Sequence, residues 1–109
     1  MRITYTIPGH LNNLGVVYEE LGNIKEAEER YDRALSIQMK LSAETHYLTG
    51  VIYSNLALIY KQTGRYKEAL CGFKKSLNIL NLYPTSNSHV LPILNREMQE
   101  LSEIMGRGN

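Results

Sequence analysis

The side chains best suited to chemistry in this sequence are three histidines and one cysteine, and they are dispersed. His10, His46 and His89 lie far apart along the chain, so no two of them could share one turn of a helix. Metal sites that can be recognised from sequence use paired ligands, such as two histidines four residues apart, and that spacing is missing. Cys71 has no nearby histidine that would activate it as a nucleophile. We therefore predict no catalytic residue, no metal site, no cofactor and no enzymatic activity.

A basic stretch in the second half of the chain is the remaining candidate for binding chemistry. A single acidic residue, Glu68, is set against its members, which are Lys61, Arg65, Lys67, Lys74 and Lys75. Such a stretch could contact phosphate or an acidic partner, or it could be a solvated helix face. We favour the solvated face, because no aromatic ladder and no known nucleic-acid motif accompanies the stretch.

Composition limits the class of protein further. The chain has 109 residues and a net charge of +1, so its length suits one domain and its charge predicts neither nucleic-acid binding nor attraction to a membrane surface. No apolar run approaches the length of a membrane span, and no signal peptide is recognisable. One cysteine cannot form an internal disulfide, which is compatible with the cytoplasmic location that we predict.

The elements that position these side chains belong to an internal sequence repeat. The segment Leu11–Ile37 recurs 42 residues later as Tyr53–Ile79, with nine identities in 27 positions and no gap. A fixed period of this size is typical of stacked repeat proteins, because one unit cannot bury its apolar face alone.

Each copy of the repeat predicts two helices joined by a tight turn. A stripe at helical spacing fills the first half of the first copy and consists of Leu11, Leu14, Val17, Tyr18 and Leu21. Gly22 is suited to a left-handed helix end and Asn23 to the N-cap of the next helix. Gly15 and Ala27 are small residues at points where the two helices must approach closely.

The period also predicts the element boundaries. Pro8, Gly50 and Pro92 align at the expected beginnings of first-type helices. We expect one domain over residues 1–109, with repeat 1 at 8–41, repeat 2 at 50–83, a loop at 82–88 and a capping helix at 89–105. Gln99 and Ser102 stand in that last helix where the repeat has a small residue and a tyrosine, so we predict a cap instead of a third repeat. Gly106 falls in register with Gly22 and Gly64 as a third turn glycine.

These residues resemble the tetratricopeptide repeat. The first copy matches its pattern at Leu14-Gly15, Tyr18, Gly22, Ala27, Tyr31 and Ala34, and the second at Leu56-Ala57, Tyr60, Gly64, Ala69, Phe73 and Ser76. The resemblance implies an all-α solenoid of antiparallel helix hairpins, here two repeats and a C-terminal capping helix. The usual period is about 34 residues, and the longer period resembles the kinesin light chain and nephrocystin type. His46-Tyr47 lies where that type often has His-Pro.

In the family, the first helices of successive hairpins line a concave groove that binds peptides. The residues at the corresponding positions are Asn12, Asn13, Val16, Glu19 and Glu20 from repeat 1, Val51, Ser54, Asn55, Leu58, Lys61 and Gln62 from repeat 2, and Ile93, Arg96, Glu97 and Glu100 from the cap. Asn13 and Asn55 match asparagines that often bind the backbone of an extended peptide in the family. The alternative is that they bond only the neighbouring helix.

The resemblance implies a protein or peptide partner, and three functions remain open. The first is a non-enzymatic adaptor that holds a peptide or a partner surface in the groove. The second is a structural unit of a longer array that self-associates end to end, as a weak homo-oligomer, through exposed helix faces. The third is a regulatory module of a larger enzyme. Carboxylates outnumber cations along the groove, which favours an extended partner that carries basic residues.

Overall fold

The described part of the chain folds into five helices that pack in sequence order. The computed structural model describes residues 2–41, 46–83 and 89–107, and within them the side chains from Ile7 to Gly106. The helices are α1 (Arg2–Glu20), α2 (Ile24–Leu41), α3 (Tyr47–Gln62), α4 (Tyr66–Leu80) and α5 (Leu91–Arg107). Helices α1 and α2 form one hairpin, α3 and α4 form a second, and α5 packs on α4. This arrangement confirms the predicted α-solenoid. Residues 84–88 of the predicted loop lie outside the described residues.

Two glycines make the hairpin turns. Gly22 has φ +84° and Gly64 has φ +80°, a left-handed conformation that favours glycine. In both turns the backbone N–H of the following residue donates to a carbonyl five residues earlier, Asn23 to Tyr18 and Arg65 to Tyr60, each at 2.8 Å. These turns confirm the prediction for Gly22 and Gly64.

The prediction that Gly106 is a turn glycine is wrong. Gly106 lies inside α5, which runs to Arg107, and it is not among the positive-φ glycines of the described residues. The period places the residue correctly, but no hairpin partner follows α5 within the described residues. Nothing there forces the backbone into the left-handed region.

Two of the three predicted helix beginnings are also wrong. Helix α1 begins at Arg2, so Pro8 lies inside it, and α3 begins at Tyr47, so Gly50 is its fourth residue. Proline inside a helix costs a backbone hydrogen bond, and here its fully buried ring offsets part of that cost. Gly50 is required by packing, because a Cβ there would lie 2.8 Å from a methyl carbon of Leu80. Pro92 is the second residue of α5, as predicted.

The start of α3 is fixed by a side chain that the sequence left unassigned. Nδ1 of His46 accepts a hydrogen bond from the backbone N–H of Leu48 at 3.1 Å, so His46 caps the helix. The histidine therefore has a structural role in a hydrogen bond.

Within the first hairpin, the helices approach closely at Gly15. A Cβ at this position would lie 2.5 Å from the ring of Tyr31, which is fully buried. In the second hairpin, Gly72 approaches Ala57, and a Cβ on Gly72 would lie 3.1 Å from the Ala57 Cβ. At a second point between α3 and α4, the Ser76 hydroxyl donates to the Gly50 carbonyl oxygen at 2.7 Å. Small residues thus set the distance between the paired helices.

The hydrophobic core lies between successive helices of the stack. One buried cluster joins α2 to α3 and contains Ala27, Tyr31, Ala34, Ile52, Leu56 and Ile59. The other joins the second hairpin to α5 and contains Ala57, Ala69, Phe73, Leu80, Leu94 and Leu101. Each second-type helix therefore contributes alanine and an aromatic ring, which larger aliphatic side chains of the next helix cover.

The predicted apolar stripe of α1 divides between two faces. Leu11 and Tyr18 pack against the core, whereas Leu14, Val17 and Leu21 are 45%, 50% and 69% exposed. Sequence periodicity identifies apolar positions without separating a hairpin-facing side from an outer side. The corresponding outer side of α3 is covered by α2, and among the described residues no helix precedes α1.

Candidate peptide-binding groove

The centre of the predicted groove is a shallow pocket between α1 and α3. Its volume is about 360 Å³, and it is lined by Val16, Glu19, Glu20, Tyr31, Asn55, Leu58 and Gln62. Six of these seven residues belong to the set predicted from the sequence, and we call the feature the groove pocket. Val16 and Leu58 supply apolar surface, while two carboxylates stand along the α1 side.

Tyr31 is the lining residue that sequence reasoning missed. It matches an aromatic position of the repeat pattern, which indicated only a core role. Its hydroxyl donates to Oε1 of Glu19 at 2.9 Å, so the ring is buried while the polar end reaches the groove. Burial and the adjacent Glu19 carboxylate raise the pKa of Tyr31 above its usual range, which keeps the hydroxyl a donor. The bond holds Glu19 against the wall of the pocket.

The asparagines of the groove differ in their surroundings. Nδ2 of Asn55 donates to Oδ1 of Asn12 at 2.9 Å, and Asn12 is 7% exposed. This bond joins α3 to α1, so Asn55 has the neighbouring-helix role that the sequence left as an alternative. Asn13 is exposed. An amide has two N–H donors and an acceptor oxygen, so the bond to Asn12 uses only part of the capacity of Asn55.

Lys61 crosses from α3 to α5 and pairs with two carboxylates. Its Nζ lies 2.5 Å from Oε1 of Glu97 and 2.8 Å from Oε2 of Glu100. The hydrogen bond to Glu100, and then that to Glu97, raises the pKa of Lys61, and the ammonium lowers the pKa of Glu100. Three predicted groove residues are thereby brought together. These ion pairs connect α3 to α5, and the same side chains contribute charge to the surface.

The remaining predicted groove residues lie on α3 and α5. Ser54 donates its hydroxyl to the Val51 carbonyl oxygen of the same helix at 2.8 Å, which leaves that proton committed. The Val51 side chain packs on the core cluster shared with α5. Ile93, 47% exposed, and Arg96, also exposed, lie on α5.

A second polar cluster, away from the groove pocket, was not predicted. Arg65 donates two hydrogen bonds to Glu28, at 2.9 and 2.6 Å, and its guanidinium lies 4.6 Å from the centre of the Tyr60 ring. The hydrogen bond from Arg65 lowers the pKa of Glu28, whereas burial and the Glu28 charge raise the pKa of nearby Asp32. The pair links α2 to the start of α4, across 37 residues of sequence. Sequence periodicity carries no signal for a contact of this kind.

Some residues of the basic stretch are engaged in contacts within the protein. Lys61 and Arg65 are ion-paired, and the Nζ of Lys75 lies 5.4 Å from the centre of the Tyr53 ring. Lys67 and Lys74 are exposed on α4. This distribution agrees with a helix surface that is mostly solvated or structurally paired.

Within the described ranges, no group of three histidine, cysteine or carboxylate side chains could hold a metal ion. Nor is any helix in that part of the chain long and apolar enough to cross a membrane.

Comparison with known proteins agrees with the architecture. A family model described as the tetratricopeptide repeat matches residues 6–81, a span that contains α2, α3, α4 and most of α1. No curated protein matches the chain.

Proposed function

Because the chain belongs to the tetratricopeptide repeat family, we propose that it is a non-enzymatic module that binds an extended peptide or a partner surface in its groove. Domains of this family generally mediate protein–protein interactions. The observation that carries the proposal is the groove pocket itself, in which apolar and polar side chains of α1 and α3 meet. Pockets that combine apolar area with a few placed polar groups are suited to binding.

The charges of the groove favour a basic partner. The predicted groove residues include four carboxylates and two cations, and one cation, Lys61, is already paired with two of the carboxylates. The carboxylates are Glu19, Glu20, Glu97 and Glu100, and the second cation is Arg96. A lysine or arginine of the partner would find the carboxylates of α1 at the rim of the pocket. Charge complementarity of this kind acts mainly on partner choice and encounter rate, while apolar contact supplies area.

The groove also offers hydrogen-bonding groups to the backbone of a partner. Asn13 is exposed on α1, and Asn55 lies in the lining of the groove pocket. We propose that these amides bond to main-chain groups of an extended segment and thereby set its direction. The two roles of Asn55 are compatible, since its bond to Asn12 leaves further positions on the amide.

The proposal extends to the subtype, the domain limits and the compartment. The 42-residue period of the sequence favours the kinesin light chain and nephrocystin type of repeat. The helix ranges support treating residues 1–109 as one domain, with α5 as its cap. We propose a cytoplasmic location on the single cysteine and the family alone.

The test uses defined peptides in place of unknown partners. A displayed library of unstructured peptides is selected on the full chain, and the best binder is titrated by calorimetry. We expect selected sequences to be enriched in lysine and arginine, and Leu58→Lys, which removes apolar area and repels a basic peptide, to weaken binding at least about tenfold, equivalent to about 1.4 kcal/mol. Glu29→Gln, on the exposed side of α2, is the matched control and should bind normally. Equal binding by both variants would reject the groove as the site.

A further inference from the structure

A second surface, separate from the groove, lies on the outer face of α1. We define the outer face of α1 by Ile7, His10, Leu14, Val17 and Leu21, all of which are exposed. Four of them are aliphatic, and none carries a fixed charge. Their spacing of three and four residues aligns them along one side of the helix. Val16 of the groove pocket follows Leu14 by two residues, which is about 160° around the helix.

The same face of the next two first-type helices is covered. Ile52, Leu56 and Ile59 stand 42 residues after His10, Leu14 and Val17, and all three are buried in the cluster shared with α2. One period further, Leu94 and Leu101 are buried in the cluster shared with α4. The molecule therefore shows twice what this face binds, and α1 is the copy that has no helix on it among the described residues.

The covering helices share one pattern. Helix α2 presents Ala27, then Tyr31 four residues later, then Ala34 three residues further, all fully buried. Helix α4 repeats the order with alanine, phenylalanine and serine at Ala69, Phe73 and Ser76, also fully buried. Small residues let the helices approach, and the aromatic ring fills the space between the large aliphatic side chains.

We propose that the outer face of α1 binds an amphipathic helix of a partner protein whose contact stripe has this alanine, aromatic, small-residue order. The two internal interfaces define the chemistry of the occupant. A stripe of four half-exposed aliphatic residues also requires apolar cover more than charge. This surface is independent of the groove, so one molecule could join two partners.

The test uses the helix that the molecule itself places on this face. A synthetic peptide with the sequence of residues 24–41 is titrated into the isotope-labelled full chain, and amide resonances are followed. We expect shifts concentrated between Ile7 and Leu21, and affinity at least about tenfold lower for Leu14→Asp. Leu82→Asp, at an exposed position beyond the end of α4, should bind as the wild type does. Val17→Asp replaces Leu14→Asp if circular dichroism shows that the latter is unfolded.

Four results would overturn the proposal. The first is an absence of shifts at about 1 mM peptide. The second is a set of shifts at Val16, Leu58 and Gln62, which would place the peptide in the groove pocket. The third is a dimer of the peptide-free chain that Leu14→Asp abolishes in sedimentation, which would make a second copy the occupant. A peptide with Tyr31 and Ala34 both replaced by aspartate should not bind, and equal binding by it would also contradict the proposed stripe.

Discussion

At the scale of single residues, Gly15 has less room for a side chain than the other described glycines, because the Tyr31 ring lies against it. A Cβ on Gly15 would meet three ring atoms at 2.5 to 2.9 Å, so we expect Gly15→Ala to lower the free energy of unfolding by about 1–3 kcal/mol. Gly9 is the matched control, since it lies in the same helix with nothing within 4 Å of its Cβ position. There, alanine should stabilise by up to about 1 kcal/mol, because glycine is the poorer helix former. Urea unfolding of both variants measures the difference, and equal stabilities would refute the packing.

The two asparagines of the groove give a second pair of matched substitutions. Asn55→Ala would leave the buried Oδ1 of Asn12 without its 2.9 Å bond, so we expect a stability loss of about 1–3 kcal/mol. Asn13→Ala, at an exposed site, should leave the melting temperature unchanged and affect only peptide binding. Thermal unfolding separates the two roles, and an unaltered melting temperature in Asn55→Ala would show that the bond contributes nothing.

Sequence reasoning recovered residue identities better than residue partners. The repeat pattern placed six of the seven residues of the groove pocket, because first-type helices align on one side of a solenoid. It did not predict that Lys61 pairs with Glu97 and Glu100, or that Arg65 pairs with Glu28. These partners are 36 to 39 residues apart, and their contact depends on the distance between stacked helices. Tyr31 lies in the core, as its repeat position predicts, but the pattern carries no signal that its hydroxyl also donates to Glu19.

At the scale of helices, the hairpin turns were predicted correctly and two of the three helix beginnings were not. Both turns need a residue with φ near +80°, and glycine is the residue type that favours this conformation. Gly22 and Gly64 were therefore recognisable as turn residues from the sequence. The beginning of α1 was placed at Pro8, because proline is favoured in a first turn, yet burial of its ring stabilises a helix that starts at Arg2. The position at which α1 begins is therefore set by tertiary packing and not by the local preference of proline for a first turn.

The cap assignment leads to a prediction for α5. Leu101 is fully buried in the cluster with Phe73 and Leu80, whereas Ile93 on the same helix is 47% exposed. We expect Leu101→Ala to destabilise the fold by about 2–5 kcal/mol and Ile93→Ala by much less. Chemical unfolding measures both. Similar small losses would mean that α5 does not cover the core. Removal of residues 89–109 should expose that core and cause aggregation, and a truncated chain that stays monomeric would contradict the cap assignment.

The ion pair between α2 and the start of α4 predicts a dependence on pH. Because Arg65 lowers the pKa of Glu28 below its usual 4.5, the pair stabilises the fold above that pH and the contribution is lost as pH falls through the lowered pKa. We expect Glu28→Gln to be less stable by about 1 kcal/mol at pH 7, since both side chains are partly exposed. The gap to the wild type should narrow in urea titrations as the pH falls through the lowered pKa of Glu28. A gap that persists there would assign the loss to packing.

At the scale of the whole molecule, the stack separates two surfaces. First-type helices direct Val16 and Leu58 into the groove pocket, and second-type helices cover the opposite side of the next hairpin. The repeat makes this arrangement from one hairpin used twice, with α5 in place of a third. Protein interaction is therefore the function that the architecture supports, and we propose the groove pocket as the surface where the partner binds.

A resonance-shift map of the full chain with a selected basic peptide shows which surface the peptide occupies. We expect binding in the groove pocket, with shifts at Val16, Glu20, Leu58 and Gln62, and an affinity that weakens between about 50 and 300 mM salt as the carboxylates are screened. Shifts confined to the exposed sides of α2 and α4, with the groove pocket unaffected, would contradict this expectation.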